Sequence, residues 1–512
     1  MLRTHPEHRI SEKDTEMALD AFLQALHNFA SIELWLVIAA GVLVGLIFGI
    51  IPGISGLTAA ALLLPFVFKM SAMQALPMII GIMLAQYIGG SITSILINVP
   101  GDPANSATLL DGYPMSRKGE AGRALGAAFM ASTAAKFLTV FLTLAMIPLI
   151  LPIVMTFKIA DVAFVMLLGI SFIAVLGARS MVKGAISGGL GLLISFIGTH
   201  PATGIERFSF GSDYLYDGFP LLPVIMGMFA IPEMIQSAKE GNVKVGSQAV
   251  IKGMRDVWRG VTDVIHHWRV FIASNVIGYL IGVLPGIGGS SAAFMAYGQA
   301  KQLSKHPDEF GKGAVEGVIA PESSIVSEQA GAILTTLALG IPGNSIMVIM
   351  LAAITGLGLV PGPEMITRHL DLSLTLVMIF LAGGIVGAAI CFALSPYLAK
   401  VASIPNQILI PLVLVITAVG LYAADERIMD VLAALFFGLL GLGMGRFGYN
   451  RPALVLGYIL GDMFERNLFL ALNIDGPLFF FKPISMILIA IIITVFAYAP
   501  VKGLLSKRRK MS

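Results

Sequence analysis

A single cysteine in 512 residues, Cys391, set inside an apolar stretch, excludes a disulfide framework. Charge is equally scarce: Asp, Glu, Lys and Arg make up 12% of the chain, about half the share of a soluble domain. The eight histidines show no metal-ligand spacing, and the pair His266-His267 falls in a polar basic segment. There is no phosphate-binding glycine loop, zinc signature or Ser-His-Asp constellation. ATP hydrolysis and other enzymatic roles therefore have no residues to carry them, and no cofactor is expected. The first 30 residues mix charges of both signs and lack a short apolar core ending in small residues, so a cleaved signal peptide is not expected.

What the chain has is apolar length. Hydrophobic residues form 57% of it and the mean hydropathy is +0.88. The runs 34–51, 137–155, 162–177, 374–394, 408–423 and 484–499 are long enough to cross a bilayer, since a pass takes about 20 residues. Counted with broken segments, they predict ten to twelve passes and an all-α polytopic membrane protein. The net charge of +3 matters less than its placement. Lys239, Lys244, Lys252, Arg255, Arg259 and Arg269 fall in 237–269, and Lys507 to Lys510 form the tail. Basic loops stay cytoplasmic, and a juxtamembrane basic cluster binds lipid rather than nucleic acid. Residues 18–30 read as a short interfacial helix, with Ala18, Phe22, Ala25 and Phe29 on one face.

Two motifs recur. Residues 49–61 read GIIPGISGLTAAA and 282–294 read GVLPGIGGSSAAF, identical at seven of thirteen positions and 233 residues apart. Residues 89–103 (GGSITSILINVPGDP) and 331–345 (GAILTTLALGIPGNS) share Gly89/Gly331, Thr93/Thr335, Pro100/Pro342 and Gly101/Gly343 at a spacing of 242. The second copy thus holds nine extra residues, which the polar stretch 301–313 accommodates. The same order at nearly the same spacing implies a duplicated unit. Its division is an interfacial segment 1–32, repeats 33–236 and 270–500, a basic cytoplasmic linker 237–269 and a tail 501–512. Such halves are commonly inverted, and Gly/Pro-broken apolar segments in matching places mark a binding site. Loops 112–123 and 301–313 each carry three Lys/Arg, so loop charge leaves the inversion open.

The breaks have chemical meaning. Proline removes a donor and glycine allows the bend, and the freed backbone groups would each cost several kcal/mol in lipid. They need protein, water or a ligand. A helix resuming after Pro52-Gly53 or Pro285-Gly286 presents free N–H groups at its positive end. Ser55, Gly56 and Thr58 in the first copy, and Gly288, Gly289, Ser290 and Ser291 in the second, then form an anion cradle. Carbonyls released at Pro52-Gly53, Pro100-Gly101, Pro285-Gly286 and Pro342-Gly343, with Thr93, Asn98, Thr335 and Asn344, suit a desolvated cation such as sodium. A kink can also be purely structural, but four in two matched pairs favour one shared site near the midplane. Gly41, Gly45 and Gly49, echoed by Gly278 and Gly282, suit close helix packing instead. Lys136, midway along an apolar stretch, is either functional or a snorkelling interfacial cation. Glu322 in APESS, at the start of a second broken segment, either coordinates a cation or caps a helix.

These segments resemble the large membrane subunit of the tripartite tricarboxylate transporter family (TctA-type). The likeness is carried by GIIPGISGLTAAALLLPF at 49–66, YIGGSITSILINVPGDPANSATLLDGYPMSRKGEAGRAL at 87–125, GIERFSFGSDYLYDGF at 204–219, the stretch 282–323 and LALGIPGNS with LGLVPGP at 337–363. DGYPM and SKHPDEFGKGA are the most specific parts. The resemblance implies a multi-pass protein of a bacterial inner membrane. Its implied partners are a small four-helix membrane subunit, a periplasmic solute-binding protein and an organic carboxylate, with a sodium or proton gradient as the driving force. Two departures stand out: Ser323-Ser324-Ile325-Val326 follows APE where the family has an Asn pair, and His200 stands where an acidic residue is common. On residues alone, a single-component anion exporter or channel without ion coupling stays open as the alternative.

Overall fold

The computed structural model describes residues 12–51, 55–176, 180–200, 203–240, 253–401 and 406–496. Pro52 and Gly53, the linker stretch 241–252 and the basic tail lie outside the described residues. The chain is a succession of helices: α1 (Glu12–Phe29), α2 (Ile32–Ile50), α3 (Gly56–Val67), α4 (Ala72–Ile97), α5 (Ser106–Arg117), α6 (Ala121–Met155), α7 (Ile159–Leu176), α8 (Met181–Ser195) and α9 (Leu221–Glu240). There follow α10 (Met254–His266), α11 (Trp268–Val283), α12 (Gly288–Leu303), α13 (Glu316–Leu339), α14 (Ser345–Gly356) and α15 (Pro363–Thr367). The chain continues through α16 (Leu370–Val401), α17 (Asn406–Asp425), α18 (Ile428–Arg446) and α19 (Arg451–Asp475), and α20 (Pro483–Phe496) follows a 71° bend. Two-residue strands, Gly198–Thr199 and Glu206–Arg207, pair antiparallel between α8 and α9.

It is an all-α polytopic membrane protein. Among the described residues, six helices are long and apolar enough to cross a bilayer, or seven with the bent pair α19–α20. Where the sequence predicts ten to twelve passes, much of the apolar length is spent on shorter helices such as α3, α11 and α14, of 10–17 residues. Those are too short for about 30 Å of hydrocarbon alone. They are the pieces on either side of the breaks.

The glycine stripe of α2 explains how the first break is framed. A methyl group at Gly41, Gly45 or Gly49 would run into the carbonyls of Met78, Ile82 and Gln86, so α2 and α4 touch backbone to backbone. In the same manner Gly278 and Gly282 of α11 lie on the carbonyls of Ser324 and Glu328 in α13. Such approach replaces side-chain interdigitation with close backbone contact. At the second hinge Gly286 and Gly288 take φ of 85° and 76°, left-handed values that glycine tolerates best. The Gly286 N–H donates to the Gly343 carbonyl at 3.0 Å, stitching the two breaks together.

The most specific motifs are fasteners. Asp111 of DGYPM accepts from the Gly313 and Ala314 N–H groups at 2.7 and 2.9 Å and from the Tyr297 hydroxyl at 2.8 Å. Part of the basic linker is itself a helix. α10 lies along α6, where Gly126 and Gly260 bring the backbones together and Arg123 meets Asp263 at 2.6 Å. Its outer face shows Trp258, Ile265 and Arg259. In α1 it is Ala25, not Phe22, that is buried, and Asn28 reaches Thr375 of α16. Of the residues the sequence put on one face, Ala25 and Phe29 pack against the core while Phe22 is exposed.

Candidate functional site

The breaks meet around a cavity of about 660 Å³. Four helix starts open on it. Ser55 precedes α3, Gly288 to Ser290 begin α12, Asn344 and Ser345 begin α14, and Asn450 and Arg451 begin α19. Asn344 and Asn450 cap their helices by accepting from the N–H groups of Met347 and Ala453, both at 3.1 Å. Four positive dipole ends around one half-open cavity present unpaired N–H groups of the kind that attract anions. The rest of the wall comes from Gln86 and Tyr87 of α4, Asp102 to Ala104 after its break, and Phe229 and Glu233 of α9.

One of these starts already holds a carboxylate. Glu233 accepts from the Ser55 N–H, from the Ser55 hydroxyl at 3.1 Å and from the Thr58 hydroxyl. The cradle that sequence reasoning assigns to Ser55 and Thr58 therefore exists, and the protein's own side chain fills it. A carboxylate with several donors at a helix start is strongly held. Replacing Glu233 by alanine leaves these donors unanswered, at about 1–3 kcal/mol for each buried one. The expected outcome is a lower midpoint of thermal unfolding in detergent, which differential scanning fluorimetry reads.

Arg451 faces the same space. Among the described residues its guanidinium has no hydrogen-bond or ion-pair partner, and Glu233 attracts it electrostatically. A free guanidinium between helix starts offers paired donors to a carboxylate.

The structure sorts the other expected residues. Ser55, Gly286, Gly288, Gly289, Ser290 and Asn344 line the cavity. Ser291 is exposed and Pro285 buried outside the lining. Gly56 packs on the Gln86 side chain, Gly101 on the Gly49 carbonyl, and Gly343, after the buried Pro342, on Ala332. Gly101 and Gly343 each allow a close approach that a Cβ would block, neither is in the cavity lining, and the Gly343 carbonyl is spent on Gly286. Pro100 lies in the same turn and is not in the lining. Asn98 is exposed and ends α4 in a left-handed conformation, φ 61°. Thr93 and Thr335 turn their hydroxyls back to the Gly90 and Ala332 carbonyls of their own helices. None of these three faces the cavity.

Glu322 is also corrected. It neither starts a segment nor caps one, because α13 begins at Glu316 and Pro321 sits within it. Its carboxylate is buried and accepts from the hydroxyls of Ser91, Thr108 and Ser132 at 2.6, 2.6 and 3.1 Å, tying α4, α5 and α6 to α13. Lys136 is fully buried and does not snorkel; its stem packs on Gly384. Ile325 packs with Ala104, Ala107 and Ala293 behind the cavity. His200 belongs to another cluster, 3.5 Å from Glu465, which Arg207 grips with both terminal nitrogens at 2.7 and 2.9 Å. That bidentate bond raises the Arg207 pKa, keeping it charged.

Sequence reasoning missed Gln86, Tyr87, Asp102, Glu233, Glu328 and Arg451. Applying the rule that intramembrane charges default to function to every apolar segment would have found Glu233 and Glu328.

The comparisons agree with this architecture. A protein of Agrobacterium vitis described as "Uncharacterized 52.8 kDa protein in TAR-I ttuC' 3'region" is 32% identical over 475 residues, 92% of this chain and 94% of that one. A second from the same organism, "Uncharacterized protein in TAR-II ttuC' 3'region", is 32% identical over 234 residues, 45% of this chain and 97% of its own. No solved structure matches. The model of the tripartite tricarboxylate transporter TctA family matches residues 35–456. A multi-pass apolar architecture, breaks converging on one chamber and this match over most of the chain place it together with known transport subunits: the protein belongs to the tripartite tricarboxylate transporter TctA family.

Proposed function

We propose that this subunit imports a small organic carboxylate across a bacterial inner membrane, driven by a cation gradient. A periplasmic solute-binding protein delivers the cargo, and a small four-helix membrane subunit completes the system. The observation that carries the reading is the cavity itself, lined by helix starts and by Arg451, whose guanidinium has no hydrogen-bond or ion-pair partner among the described residues. Glu233 supports it from within, since one of those starts already binds a carboxyl group. We read the chamber as the meeting place of two duplicated halves, a reading that the like packing of α2 on α4 and of α11 on α13 supports. In such halves, breaks at matching places build the transport site, and rocking of one part against the other exposes it alternately.

Reconstituted proteoliposomes test the reading. With its partner subunits, the protein is expected to accumulate a labelled di- or tricarboxylate when a sodium or proton gradient is imposed. Equilibration without accumulation would instead mark a passive anion path.

A further inference from the structure

A second cavity, of about 220 Å³, lies along the same three helices as the first. On α9, Leu221 lines the second cavity and Phe229 the first, with Ile225 one turn from each. On α14, Thr355 lines the second and Ser345 the first, and Val348 lies on the same face between them. On α19, Tyr458 lines the second and Arg451 the first, with Val455 between. The two spaces therefore sit end to end within one wall of three helices. Ile225, Val348 and Val455 separate them, all 0% exposed and all members of one apolar core. From one lining residue to the next, at about 1.5 Å of rise per residue, the intervals come to roughly 10–15 Å.

The two cavities face opposite ways. α9 ends at Glu240, where the basic linker begins, and basic segments stay cytoplasmic. α18 runs parallel to α9, because Gly227, Ile231 and Pro232 meet Phe437, Gly438 and Gly441 in that order. The turn after α18 thus lies on the cytoplasmic side too. Its exposed Gly448 and neighbouring Tyr449 rim the first cavity, which opens that way. The second cavity is bordered by Thr199, Asp217 and the exposed Asp462, at the opposite end of α9.

Resting on the transport reading above, we infer that the second cavity is the outer vestibule of the chamber, and that Ile225, Val348 and Val455 form its closed outer gate. A dry apolar constriction bars a charged solute by excluding the water around it. The structure is then the inward-open state. α19 is clamped to α8, backbone on backbone, at Gly191 and Gly457, and α9 to α18 at Gly227 and Gly441. α14, a 12-residue piece between Gly343 and Gly358, is the wall that withdraws when the gate opens.

Cysteine labelling of the full-length protein, in a Cys391→Ala background, tests this. In de-energised cells without carboxylate, a membrane-impermeant maleimide should modify Thr355→Cys and spare Ser290→Cys. In inside-out vesicles the pattern should reverse. Adding Val455→Ala should make Ser290→Cys react from outside at least about tenfold faster, because the shortened side chain lets water into the layer. Val455→Thr, which keeps the volume and adds a hydroxyl, replaces the alanine variant if that one fails to fold. If neither folds, the sidedness of the two single cysteines decides. Ser290→Cys reacting from outside as fast as Thr355→Cys overturns the gate, as does its unchanged protection in a folded Val455 variant. Thr355→Cys silent from outside overturns the vestibule. The expected labelling without carboxylate accumulation in proteoliposomes would defeat the transport reading and leave the barrier standing. Accumulation with Ser290→Cys open to the outside at rest would do the reverse.

Discussion

Replacing Arg451 by alanine is expected to lower carboxylate uptake at least about 100-fold, or about 2.7 kcal/mol, while the protein still reaches the membrane. The size follows from the setting. Arg451 lines a cavity bounded by apolar helices, and among the described residues its guanidinium makes no hydrogen bond or ion pair. A charge-assisted bond there contributes about 1.5–3 kcal/mol, and a bidentate pair makes two. Lysine keeps the charge and loses the fork, so Arg451→Lys should retain only part of the activity. Radiolabel uptake normalised to membrane-inserted protein gives the measurement. Uptake by Arg451→Ala within about threefold of wild type, on the order of 0.7 kcal/mol, would remove the residue from the anion site.

The second large effect is architectural. Gly282→Leu should yield no monodisperse protein, because any Cβ there meets the Glu328 backbone. Overpacking a core costs about 1–3 kcal/mol when side chains can give way. Here the obstacle is a helix backbone, and Gly278 one turn away binds the same two helices together. Separating α11 from α13 would also pull Glu328 from Gly289 and Asn344. Gly298 is the control: a Cβ at that position meets nothing within 4 Å, so Gly298→Leu should elute as wild type. Fluorescence-detected gel filtration of both variants separates a local clash from a general intolerance of bulk.

Much of the fold was legible because its signals are local. α11 ends at Val283, just before Pro285-Gly286, and glycines at four-residue spacing mark a helix face that meets another backbone. The ten to twelve passes counted broken segments, and hydropathy does not reveal that among the described residues six or seven helices span alone while α3, α11 and α14 are short pieces beside a turn. The site was half legible. Helix starts at Ser55, Gly288 and Asn344 follow from the breaks themselves. Arg451 arrives from the far end of the chain, outside the matched motifs, and only tertiary packing brings it to the cavity. Glu322 misled because it follows Pro321, which reads as the start of a segment and is instead accommodated inside α13. Glu233 answers Ser55 across 178 residues, a pairing no periodicity encodes.

The convergence of four main-chain ends on a single chamber has an evolutionary corollary. Recognition that draws on peptide N–H groups survives almost any replacement of the side chains around them. On the proposed carboxylate reading, chains sharing a third of their residues could keep the same main-chain grip while changing which molecule they carry. Selectivity would then be set by the few lateral positions, Leu57 and Phe229 among them, that shape the space beyond that group.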